Sequence, residues 1–139
     1  MSPQRPVFVL DASLGVKWFK PEPDQAAALA LLDRATRGEI ALAAPAHFVH
    51  EVLSVVGHHY TPRDIVPAWE RLKASGIAVL PLSDEVVAEA ARQCDALGCS
   101  FYDALAPACA SLLGATLASA DERAHGAYPG VHLIPGPAS

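Results

Sequence analysis

A chain of 139 residues that is 52% hydrophobic suits one domain with one sizeable core and is too apolar to be disordered. No apolar run reaches the roughly 18 residues needed to span a bilayer, and a formal net charge of −5 argues against an ordinary nucleic-acid binder, which is usually basic. The three cysteines, Cys94, Cys99 and Cys109, are odd in number and lack zinc-site spacing, so they read as small buried hydrophobes.

The leading MSPQRP is polar and enters a strand directly, unlike a signal peptide, so a cytoplasmic protein is expected. Val7–Leu10 is a continuous apolar run, the pattern of a strand covered on both faces in a parallel sheet. Asp11 ends it. In open α/β sheets ligands bind outside the carboxyl ends of the strands, so Asp11 is either a functional carboxylate or the cap of the next helix. Leu14, Val16, Trp18 and Phe19 make a short apolar helix or turn, stopped by Pro21 and Pro23. Asp24 is expected to cap a helix over residues 25–37, with Ala27, Leu29, Ala30, Leu31 and Leu32 as its apolar face and Gly38 closing it. A second strand is expected over residues 40–43.

Pro45 is expected to open the next helix, which carries Phe48, Val49, Val52, Leu53, Val55 and Val56. Glu51 sits among them, with Phe48 and Val55 as its i−3 and i+4 neighbours. A carboxylate facing an apolar stripe is costly unless paired or metal-bound. Otherwise Glu51 lies at the stripe's edge and reaches water. His47, His50, His58 and His59 read as surface or helix-end residues. Thr61-Pro62 starts a helix with Ile65, Val66, Trp69 and Leu72 inward, interrupted or kinked at Pro67 and ended by Gly76. Residues 77–80 form a third strand. Ser83 caps a helix with Val86, Val87, Ala90, Ala91 and Leu97 inward, ended by Gly98.

The helix over residues 101–113 begins S-F-Y-D. Ser100 and Asp103 have capping-box spacing, a structural explanation for Asp103 that competes with a functional one. Pro107 removes a backbone donor and crowds the Asp103 carbonyl. A fourth strand, residues 116–118, leads to Asp121, which either serves the same strand-end edge as Asp11 or caps the short helix over 122–125. A last strand covers 131–134, and a Pro/Gly-rich tail follows. Helices alternating with short apolar strands give an α/β fold: one domain, core about residues 6–134, with a short central parallel sheet and helices on both faces.

Asp11 and Asp121 each follow a strand, and Glu51 and Asp103 lie on helices that can pack beside those strand ends. Four carboxylates in one place repel one another and imply a cation; hard oxygen ligands with room for water suit Mg²⁺ or Mn²⁺. These acids account for most of the net negative charge.

VLDASLGVKWF, the helix with HFVHEVLSVV, SFYDALAPACA and TLASADERA, in that order, resemble the PIN domain, and more narrowly the VapC-type toxins of bacterial toxin–antitoxin pairs. The resemblance spans about residues 6–134. It implies that Asp11, Glu51, Asp103 and Asp121 form an acidic catalytic and metal site, with the hydroxyls of Ser119 and Ser13 supporting it. It implies an endoribonuclease acting on RNA (tRNA, rRNA or mRNA), a homodimer, and a small antitoxin that enters a groove, for which Trp18 and Phe19 would be suited if exposed; ordinary core packing is the equal alternative for both. Two positions depart from the family pattern: Ser54 stands where an Asn is frequent, and Pro107 is unexpected. The cations Arg34, Arg37, Arg63, Arg71, Lys73, Arg92 and Arg123 are scattered along the chain. A phosphoacceptor domain is disfavoured because no Lys follows Lys73, and a D-x-D phosphatase because the chain reads Asp11-Ala12-Ser13. A PIN-like interaction module without catalysis is the remaining rival.

Overall fold

Strand β1, Val7–Leu10, is the centre of a five-stranded sheet. In the computed structural model, which describes residues 4–135, it pairs in parallel with β2 (Ala41–Pro45) on one side and β4 (Thr116–Ser119) on the other. Strand β3 (Ala78–Leu80) extends the first side and β5 (His132–Leu133) the second, giving the order β3-β2-β1-β4-β5 with every pair parallel. The end of the tail, from residue 136, lies outside the described residues.

The helices are α1 (Ala12–Lys17), α2 (Gln25–Thr36), α3 (Phe48–His59), α4 (Ile65–Ala74), α5 (Asp84–Leu97), α6 (Phe101–Leu113) and α7 (Glu122–His125), with a 3₁₀ turn at Pro62–Asp64 before α4. Alternate residues of β1 feed two cores, as strand geometry dictates. Leu10 joins Leu14, Phe48 and Val52 on one face, whereas Val9 joins Val86, Ala90 and Ala104 on the other.

Strands β1 to β3 are added toward one edge and β4 and β5 toward the other, so the winding reverses between β1 and β4, the place where doubly wound sheets open a crevice. Register sets Leu10 opposite Ala118, and the Asp11 N–H donates to the Ala118 carbonyl at 3.0 Å, so the two strands end level. Helix α1 lies unusually close to α3. A methyl group at Gly15 would stand 2.5 Å from the Phe48 ring, so only glycine permits this approach. The positive φ of Gly98 ends α5, and Ser100 then caps α6 by accepting from the Asp103 N–H at 3.2 Å.

Several sequence expectations change. Pro45 ends β2 instead of opening a helix, two residues past the last register pair between β1 and β2. Asp24 makes no cap bond; its carboxylate turns to buried Lys17, 2.7 Å away. In α2 the core takes Ala28 and Leu31, while Ala27 and Ala30 face water. In α4 the buried residues are Ala68 and Leu72, and Val66 and Trp69 are exposed. Pro67 falls in the first turn of α4, where a helix needs no donor, and it does not end the helix. In α5, Val87 is exposed and Glu89 is covered instead, paired with Arg92 and Gln93.

Candidate active site

Asp11 follows β1 directly and is buried; its Oδ2 accepts from the Ser13 N–H at 3.0 Å, capping α1. Asp121 follows β4 by two residues, and its Oδ1 accepts from the Ala124 N–H at 3.1 Å, capping α7. Both are therefore caps, and each retains a second carboxylate oxygen beyond its cap bond. Asp103 completes only half of a capping box: its N–H reaches Ser100, but its carboxylate has no hydrogen-bond partner among the described residues. That leaves both oxygens available.

Glu51 lies at the edge of the α3 stripe with 47% of its side chain exposed, and His47 Nε2 stands 3.4 Å from its Oε1. Partial burial raises its carboxyl above the ordinary range; His47 opposes the shift, and the charges of Asp11 and Asp103 add to it. Asp11 and Asp103 are thus both close enough to Glu51 for their charges to act on it. Cys99 ties in the fourth: burial and Cys94 hold its thiol high, and both Asp103 and Asp121 contribute.

Hydroxyls link the acid-bearing segments. Ser119 Oγ accepts from the Asp121 N–H at 3.0 Å and lies 3.4 Å from Ser13 Oγ, while Ser13 Oγ accepts from the Ala120 N–H at 3.1 Å. Two open clefts adjoin this edge. One, of about 410 Å³, is lined by His47, His50, Glu51, Ser54 and Tyr102. The other, of about 540 Å³, is lined by Ser13, Lys20, Asp121, Glu122 and Arg123 among others.

Among the described residues no three Asp, Glu, His or Cys side chains close into a ready cage for an ion. The donor set suits a hard, hydrated cation all the same. Mg²⁺ keeps several waters and takes one or two carboxylates together with substrate phosphate, and Asp11, Asp103 and Asp121 each have an oxygen to offer.

Trp18 is buried, not exposed: it is 3% accessible and its indole N–H donates to the Ala28 carbonyl at 2.9 Å. Phe19 is half-buried. Two histidines near the site escaped the sequence reading of their roles. His47 packs against Tyr102, ring centroids 5.5 Å apart, and its i−4 spacing from Glu51 was the available signal. His125 is fully buried, bonded through Nδ1 to Ser119 Oγ at 2.6 Å and through Nε2 to the Asp103 carbonyl at 2.6 Å; its i+4 spacing from Asp121 was the only hint.

The fold recurs in solved structures of low sequence identity. A toxin–antitoxin complex from Klebsiella pneumoniae is 15% identical, with a TM-score of 0.66 over 88% of this chain and 93% of that one. The Sarcin-Ricin loop cleaving toxin VapC20 of Mycobacterium tuberculosis is 14% identical, with a TM-score of 0.67 over 89% and 98%. DNA-bound VapBC from Salmonella typhimurium is 14% identical, with a TM-score of 0.68 over 92% and 96%. No curated protein sequence matches significantly. The PIN domain family model matches residues 8–128, a span that contains all four acids. This chain belongs to the PIN-domain family.

Proposed function

We propose that the protein is a metal-dependent endoribonuclease, the toxin of a VapBC-like toxin–antitoxin pair. The observation that carries this reading is the placement of Asp11 and Asp121 just past the carboxyl ends of the adjacent strands β1 and β4, at the topological switch point where such folds bind ligands; Glu51 feels the charges of Asp11 and Asp103 from the neighbouring helices.

Asp11, Asp103 and Asp121 are the residues that would hold Mg²⁺ or Mn²⁺, with Glu51 either completing the set or orienting the attacking water. A bound divalent cation supplies counter-charge for the scissile phosphate and lowers the pKa of a bound water. Ser13 and Ser119 fix the two strand-end segments through their backbone N–H groups. Arg123 lines the cleft beside Asp121 with no ion-pair partner among the described residues, and is placed to meet a phosphate of the RNA backbone. Arg37, Lys73 and Arg92 already pair with neighbouring acids.

The antitoxin, on this reading, enters the groove of about 440 Å³ walled by Trp18, Phe19, Leu29, Val56, Tyr60 and Arg71. A cytoplasmic homodimer follows from the same family reading. The rival, an interaction module without catalysis, is favoured by one observation: Asp11 and Asp121 both engage helix N-termini. Incubating the purified protein with labelled tRNA, rRNA and mRNA in Mg²⁺, Mn²⁺ or EDTA, beside the Asp103→Asn variant, separates the two. Metal-dependent cutting lost in the variant supports the nuclease; no cutting by either protein supports the module.

A further inference from the structure

Pro107 sits inside α6, in a stretch where residues 104–110 are all buried. A proline has no N–H, so the Asp103 carbonyl, four residues back, lacks its regular helical donor. A buried carbonyl left unpaired is costly. The fully buried His125 supplies the missing donor through Nε2, 2.6 Å away. A carbonyl only accepts, so Nε2 carries the hydrogen. In the neutral ring Nδ1 is then an acceptor, and Ser119 Oγ, 2.6 Å from it, donates. The same Ser119 oxygen accepts from the Asp121 N–H.

We infer that His125 is a positioning residue which, together with Pro107, sets the spacing of Asp103 and Asp121. This rests on the nuclease reading for its consequence, though not for its geometry. The hydrogen bond missing at Pro107 and the buried imidazole form one device. The proline opens an acceptor at the backbone of one acid, and the ring bridges it to the hydroxyl that holds the other. Groups that orient ligands from behind typically change metal affinity or activity by about 10- to 100-fold when removed.

The test uses His125→Phe, His125→Gln, Pro107→Ala and the double variant Pro107→Ala/His125→Phe. Phe fills the space but bonds to nothing. Gln keeps an N–H for the carbonyl and an oxygen for Ser119. In the Pro107→Ala background the new N–H at position 107 satisfies the Asp103 carbonyl by itself. Expected for His125→Phe is a loss of kcat and of Mn²⁺ affinity of about tenfold or more, with KM little changed. His125→Gln should recover most of that loss, and the double variant should melt higher than His125→Phe alone. In the wild type, ¹⁵N NMR should show Nε2 protonated and Nδ1 not.

Wild-type Mn²⁺ affinity and kcat in His125→Phe would overturn the inference. So would a double variant whose melting loss equals the sum of the single ones, or the opposite tautomer. Failure of the nuclease reading shows in a different place: the wild type itself would cut no RNA with Mn²⁺, while the tautomer and the melting coupling would remain as measured.

Discussion

Glu51 and His47 stand one helical turn apart on the same face, with 3.4 Å between Oε1 and Nε2. Partial burial, then the nearby carboxylates, raise the Glu51 carboxyl, and His47 offsets only part of this. The folded protein therefore holds this proton to a higher pH than the unfolded chain does. The associated stability is fully present below the unfolded value of roughly 4.3 and is lost as pH rises through the folded value. Glu51→Gln escapes that loss. Without metal at neutral pH it should be slightly more stable, by about a few tenths of a kcal/mol, because an exposed group is screened by water. It should also gain less from Mg²⁺ and cut RNA poorly. Melting curves from pH 4 to about pH 8, with and without Mg²⁺, check this; a variant that melts lower and cuts normally would remove Glu51 from the site.

Asp103 makes no cap bond through its carboxylate, so Asp103→Asn should leave stability within about 0.5 kcal/mol. Cleavage should fall by orders of magnitude. One melt and one RNA digestion decide it, and an active Asn variant would return Asp103 to a purely structural role.

Cleavage should require Mg²⁺ or Mn²⁺ and stop in excess EDTA. Ca²⁺ should raise the melting temperature by binding the native state yet support little cutting, since its loose geometry aligns water and phosphate poorly. Undiminished digestion in EDTA would exclude a metal mechanism.

Gly15→Ala drives a methyl group to 2.5 Å from Phe48 Cζ and 2.7 Å from its Cε2. Overpacking of this kind costs about 1–3 kcal/mol. Because α3 carries Glu51, the same shift should weaken Mg²⁺ affinity. Denaturant melts paired with Mg²⁺ titration read both effects.

Lys17 is buried and paired with Asp24 at 2.7 Å and Glu22 at 2.9 Å. Burial works against its charge, but the bonds to Asp24 and Glu22 outweigh it and the ammonium pKa is raised. The lysine's share of this stability is thus complete at neutral pH and is lost in strong alkali, above the ordinary lysine range, while Glu22, whose carboxyl its bond to Lys17 holds below the usual range, loses its share in acid. Lys17→Met leaves a nearly buried Asp24 without its partner and should cost about 2–3 kcal/mol, below the full range for buried pairs because Glu22 still reaches water. Equilibrium unfolding at neutral pH measures it.

The strand positions, and the aspartates that follow two of the strands, were largely legible in the sequence because both follow local patterns; the order of the strands in the sheet was not read from it. Apolar runs announce β1 and β4, and a carboxylate after such a run stands at the strand's carboxyl end whatever else the chain does. The α6 boundaries follow from Ser100 and Gly114. Helix faces were less legible: Val66, Trp69 and Val87 continue apolar stripes but stay outside the core and exposed, and periodicity records only the stripe. Trp18 went the other way because its indole found a carbonyl ten residues on. Pro107 was visible as an anomaly, whereas its partner His125 was not, since the two meet only through folding.

The strand made first is the one at the centre of the sheet, and half of its neighbourhood is made last. Ser13 receives its bond from Ala120, 107 residues further along. At ribosomal speeds of about 5–20 residues per second, the two halves of the acidic edge are separated by on the order of ten seconds of synthesis. Throughout that interval β1 has an open edge on its β4 side, a surface able to pair with a foreign strand. The nascent chain therefore carries Asp11 for those seconds without the segment that bears Asp121.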